Sequence, residues 1–183
     1  LFLLNDLGVK LKILLSTMDE KILFKSFLSF FAEADFPLIL SYDIDEPESF
    51  SDDPIPEGLA RIFIAEEEGE DAFNEYVPVV QFRLNKNYLA CIVWKASLQG
   101  YEFILIIYDN EGNIQESDSV AGTYHIHEPM IYKIAEFASP NRAVVVEGNI
   151  DTRNKDANLP PARKFILNIS DIGEINYSLV GNL

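Results

Sequence analysis

The sharpest chemical feature of this sequence is a pair of histidines. His125 and His127 lie two apart in "TYHIHEP", with Glu128 beside them. In an extended segment, residues i and i+2 point to one face, so both imidazoles can meet one metal ion. Zinc and copper accept imidazole, but a protein site takes three or four ligands. The chain has 2 histidines in all, so further ligands must come from Glu128, Asp118, Glu136 or Cys91.

The spacing departs from the cupin G-x5-H-x-H-x3,4-E pattern. Gly122 stands too close to His125, Glu128 follows too soon and Glu136 too late, and the second cupin histidine is missing. Pro129 ends the segment, as it does in connecting loops. The favoured reading is therefore a loop that carries two histidines. A metal-binding protein or metal-dependent enzyme using His125, His127 and Glu128 is the alternative.

Other chemistries find less support. Cys91 lies within "YLACIVW", where an apolar strand buries a thiol and raises its pKa. There is no G-x-S-x-G, and no histidine outside the one loop to serve as base. No phosphate-cradling glycine motif is present. "DIDEPESFSDDP" begins like a calcium loop but has prolines where a ligand and the bidentate glutamate belong. "DNEGN" has its glycine where a hairpin turn wants it. Neither a catalytic residue nor a cofactor is assigned.

Charge is the second strong feature. The net charge is −16 over 183 residues. Residues 32–78 hold fifteen Asp/Glu and one Arg, net −14, so nearly all the excess sits in one stretch. Such a field repels nucleic acid and anionic lipid and attracts a basic protein. No run reaches the roughly 20 apolar residues of a membrane span. The expected partner is thus a basic protein met through residues 43–75, with Glu66, Glu67, Glu68, Glu70 and Asp71 as its contacts. Neither nucleic acid nor membrane is expected as a partner, and the oligomeric state is left open.

These features need a scaffold. Thr17 and Glu20 have capping-box spacing. Apolar residues then recur at Ile22, Leu23, Phe27, Leu28, Phe30 and Phe31, which predicts a helix over about 19–32. Phe36 to Tyr42 reads as extended, and "DIDEPESFSDDPIPEG" as a loop. A short helix is expected from about Pro56, with Leu59, Ile62 and Phe63 as its apolar stripe. From Val77 the pattern turns to strands: "VPVVQFRL", "YLACIVWKA", "YEFILIIYD", "NIQESDSVAG", "MIYKIAEFAS", "RAVVVEGNI", "RKFILNIS" and "EINYSLV". Short turns such as 85–87, 97–100, 109–112, 139–141 and 171–173 join antiparallel neighbours. "YLACIVW" and "FILIIY" lack alternation, so they belong at the centre, covered on both faces.

The fold expected is α+β: N-terminal helical cover on a curled antiparallel β-meander of seven or eight strands. Residues 18–183 form one domain, with a helical and acidic part over 19–78 and the meander over 79–183. A single cysteine fits a reducing compartment.

"FKSFLSFFAEADFPLILS", "DDPIPEGLARIFI", "EYVPVVQFRLNKNYLACIVWKA", "YEFILIIYDNEGN" and "SVAGTY" together resemble a group of small uncharacterised bacterial proteins. The resemblance covers about residues 22–180. It implies a start near Met18 and a cytoplasmic, free-standing domain, and it carries no functional residues. The chain departs from that group at "ADFP" and at "HIH". Residues 1–17 are accordingly expected to be extraneous or peripheral. Deleting them should leave the thermal midpoint of unfolding unchanged by circular dichroism; loss of the folded spectrum would overturn that expectation.

Overall fold

The structure, a computed structural model, describes residues 20–41, 53–64, 74–124, 130–151 and 159–183. It is mainly β-sheet. Ten strands belong to one sheet: β1 (Ala32–Glu33), β2 (Leu38–Leu40), β3 (Glu75–Arg83), β4 (Tyr88–Ser97), β5 (Gly100–Asp109), β6 (Ile114–Tyr124), β7 (Met130–Ser139), β8 (Arg142–Ile150), β9 (Arg163–Ile169) and β10 (Ile175–Asn182). Helix α1 spans 20–28 and α2 spans Glu57–Phe63.

All eight strands expected after Val77 are present. Among the described residues the strands nevertheless number ten, not seven or eight, because the N-terminal part adds β1 and β2. β1 runs parallel to β3, and β2 pairs antiparallel with β7. The path runs β1-β3-β4-β5-β6-β7-β8-β9-β10 and is open, with β1 and β10 at its ends. Pro78, which has no N–H to give a ladder, sits at a register shift in β3.

β4 and β5 explain the rest of the packing. Ala90, Ile92, Phe103, Leu105 and Ile107 point to one face. Leu89, Cys91, Val93, Ile106 and Tyr108 point to the other. On the first face they share a core with Ala135, Phe137, Val145 and Leu167 of β7–β9. Phe82 of β3 and Phe137 of β7 lie four places apart along the path, yet their ring centroids are 6.0 Å apart. β3 and β7 therefore meet at that core, and the sheet is open rather than the curled meander expected.

The second face is covered by the helices. Phe24, Phe27 and Phe31 are buried there with Ala60, Phe63 and Ile64. Phe24 sits 5.2 Å from Tyr108 and 5.3 Å from Phe63. The sheet also holds each helix by its C-terminal carbonyls, which lack partners inside a helix. The Tyr108 hydroxyl donates to the Phe63 carbonyl at 2.6 Å. The Gln81 side-chain amide donates to the carbonyls of Leu28 and Phe31, each at 3.1 Å.

The helical cover is thus smaller than expected. Among the described residues it consists of α1 over 20–28, which ends short of the expected 32, and α2 over Glu57–Phe63, both against β4 and β5. α1 stops at residue 28 because Gln81 and the β1–β3 pairing draw the chain out of the helix. The buried stripes differ too. Phe24 leads that of α1, while Ile22 and Leu23 are exposed. In α2, Ala60 and Phe63 are buried and Ile62 is exposed, since 60 and 63 share a face that 62 does not.

Phe27 is fully buried, and a buried Phe→Ala change costs about 3–5 kcal/mol. Phe27→Ala should lower the thermal midpoint by roughly 6 to 20 °C in a domain of this size. Tyr108→Phe, which strands the Phe63 carbonyl, should cost about 1–3 kcal/mol. Urea unfolding of both variants checks these values.

Candidate functional site

The sheet aligns charged residues that are far apart in sequence. Lys95 of β4 stands opposite Glu102 of β5, and Glu102 opposite Gly122 of β6. Gly122 stands opposite Lys133 of β7, Lys133 opposite Glu147 of β8, and Glu147 opposite Arg163 of β9. Residues directly opposite on neighbouring strands lie side by side on one face. The result is one row across six strands in which cation and anion alternate, broken only by Gly122.

The Arg163 guanidinium donates to the Glu147 carboxylate. The Lys133 ammonium is 3.9 Å from Glu147 and donates to the Ser119 carbonyl at 2.9 Å. It also lies 5.8 Å from the centre of the Tyr124 ring. Lys133 and Glu147 are largely shielded from water, with side-chain exposures of 15% and 21%. Pairing at that depth offsets a desolvation cost that neither ion could bear alone. Among the described residues, Glu102 has no hydrogen bond and no ion pair.

Gly122 is required by the close approach of β5 and β6. Its φ is +120°, and a Cβ there would lie 2.3 Å from the Tyr101 carbonyl oxygen and 2.8 Å from the Glu102 Cα. No side chain fits that gap.

Asp118 and Ser119 of β6 lie on the walls beside this row, next to a register shift between Ser119 and Ala121. That bulge re-aims the side chains around it. On one side is a cleft of about 310 Å³ with Ile104, Ile106 and Ile114 as floor and Lys95, Glu102 and Ser119 among its walls. On the other is a cleft of about 130 Å³ lined by Asp118, Lys133, Glu147 and Tyr177. The Tyr177 hydroxyl donates to the Asp118 carboxylate at 2.7 Å. The Ser119 hydroxyl oxygen is buried and has no hydrogen-bond partner among the described residues.

Burial and these carboxylates act on the phenols. Burial, then Glu147, Glu102 and Asp118, push the Tyr124 pKa up to about 12. Burial and the bond to Asp118 push Tyr177 further up. Cys91 is buried on the helical face, where burial and then Glu33 raise its thiol well above the usual value. That makes it an inert core thiol.

His125, His127 and Glu128 lie outside the described residues, as do Glu66, Glu67, Glu68, Glu70 and Asp71. The other ligands considered for the histidines are not brought together. Cys91 is under the helices, Asp118 is bonded to Tyr177, and Glu136 is exposed on β7 between Ile39 and Val144. Among the described residues no group of three His, Cys, Asp or Glu is close enough to hold a metal ion. No described helix is long and apolar enough to cross a membrane. The Asp109 carboxylate of "DNEGN" is taken by its own turn, accepting from the backbone N–H groups of Glu111 and Asn113 and from the Asn113 side chain. Set beside known proteins, the chain matches no family model, no curated protein and no solved structure.

Sequence reasoning missed the row. Part of it was within reach, because the 97–100 turn fixes Lys95 opposite Glu102 by counting outward. Counting outward from the 139–142 turn fails: the shift between Phe137 and Ser139 moves the register by one residue, and only then does Lys133 meet Glu147.

Two outcomes follow from this geometry. Lys133→Met strands the Ser119 carbonyl and weakens the hold on Glu147. It should cost about 1–3 kcal/mol, and a double-mutant cycle with Glu147→Gln should show coupling of about 0.5 kcal/mol or more. A raised tyrosine pKa contributes stability that is complete below the unfolded value near 10 and is lost as pH rises toward about 12. Stability by urea unfolding should therefore fall between those pH values, and absorbance at 295 nm should show Tyr124 and Tyr177 ionising last with Tyr108, whose buried phenol is also raised.

Proposed function

We propose that this protein is a non-enzymatic interaction domain that meets a basic protein through the acidic surface of residues 43–75. The observation that carries the reading is the charge distribution: residues 32–78 hold net −14 of the total −16. Support comes from the described parts of that stretch. Glu33, Asp35, Asp53, Glu57 and Glu75 are all exposed. They belong to β1, the segment after it, α2 with its approach, and β3. The cation within the stretch, Arg61, is held by Glu57 one helical turn away. Two of the cations on the far strands, Lys133 and Arg163, are engaged with Glu147.

Association of this kind is fast and sensitive to salt, because surface charges are screened beyond about 8–10 Å at physiological ionic strength. The test uses the whole chain as bait in a lysate of its source at low salt. A basic protein should be retained at about 50 mM salt and released at about 500 mM. Changing Glu66, Glu67, Glu68, Glu70 and Asp71 to amides should weaken retention at least tenfold. Equal retention by the neutralised variant, or capture that ignores salt, would overturn the reading.

A further inference from the structure

The larger cleft beside β6 has the features of a small-molecule site, and its polar groups lie outside the acidic segment. Its volume of about 310 Å³ lies at the lower end of the range for small-molecule pockets. Its floor is apolar: Ile106 is buried, and Ile104 and Ile114 pack against the helical-face core.

Two polar groups on its wall lack a partner. Glu102 is half-buried, and among the described residues it has neither a hydrogen bond nor an ion pair. The Ser119 hydroxyl oxygen is shielded from water and has no hydrogen-bond partner among the described residues. A buried polar atom left unpaired costs about 1–3 kcal/mol, and native structures leave few of them. A half-buried carboxylate adds a desolvation cost that an opposite charge offsets.

The charge on the walls selects the sign of a ligand. Glu102 and Asp118 supply two carboxylates against the single ammonium of Lys95. The bulge between Ser119 and Ala121 sets the hydroxyl and the Glu102 strand side by side, since Ser119 stands opposite Ile104, two residues from Glu102.

We infer that this cleft binds a small primary amine on an unbranched apolar stem. The ammonium donates to the Glu102 carboxylate and to the Ser119 hydroxyl, and the stem lies over Ile104, Ile106 and Ile114. Serine has three staggered χ1 positions, and the ligand selects the one that turns the hydroxyl into the cleft.

The test is a titration of the full chain, ¹⁵N-labelled, with n-pentylammonium, 1-pentanol and pentanoate as probes, followed by amide shifts. Pentylammonium should shift the amides of residues 102–106 and 117–119 in a saturable way. It should bind at least tenfold more tightly than pentanoate and several-fold more tightly than pentanol. Glu102→Gln, which keeps the side-chain shape, should remove most of the preference for the amine over the alcohol, and Ser119→Ala should weaken the amine about threefold. Pentanoate binding as well as the amine, shifts that fall elsewhere on the sheet, or unchanged amine affinity in Glu102→Gln would each overturn the inference. The comparison of the three probes on the unaltered chain needs no variant to fold.

Discussion

Strands β4 and β5 carry large apolar side chains on both faces, and neither face can be left in water. That constraint organises the molecule. Burying an apolar side chain of this size stabilises by about 1.5–3 kcal/mol, so a strand pair apolar on both sides must find two covers. The helices supply one through Phe24, Phe27 and Phe63. The far strands β7–β9 supply the other through Phe137, Val145 and Leu167. One chain provides both covers because β3 and β7, four places apart along the open path, meet at the second of these cores. The 6.0 Å approach of Phe82 and Phe137 is the direct trace of that arrangement.

Polar groups then decide how the covers are fixed. Apolar contact is non-directional and leaves a helix free to slide. The Tyr108 hydroxyl on the Phe63 carbonyl and the Gln81 amide on the Leu28 and Phe31 carbonyls are directional. The first of these satisfies a carbonyl that the end of α2 leaves open. In the same way, the row from Lys95 to Arg163 makes the strand register matter. A slip of one residue between β7 and β8 would separate Lys133 from Glu147 and leave a largely shielded ammonium without its carboxylate, which is costly.

Much of the fold was legible along the chain. Strands β3–β10 follow from β-branched and aromatic runs punctuated by turn residues, a local signal. The burial of Cys91 and the central place of β4 and β5 follow from runs without alternation. β2 (Leu38–Leu40) falls within the segment read as extended, Phe36 to Tyr42, whereas β1, at 2 residues, is too short to carry a period and exists because β3 offers it an edge. Phe24 was passed over in α1 because Ile22 and Leu23 fill the same stretch of sequence. Only the position of the sheet tells which of these faces inward.

The candidate site divides along the same line. Composition alone determined that the protein is acidic, that its charge is concentrated in residues 32–78, and that a strand-rich chain forms around an apolar centre. These depend on which residues are present and on neighbours a few positions away. The row of Lys95, Glu102, Lys133, Glu147 and Arg163, the gap that only Gly122 fits, and the cleft holding Glu102 and Ser119 were decided by tertiary structure. They depend on strand register, and register is reset by single-residue shifts at 119–121 and 137–139. A bulge changes which side chains meet without changing any residue, so nothing in the order of the letters records the meeting.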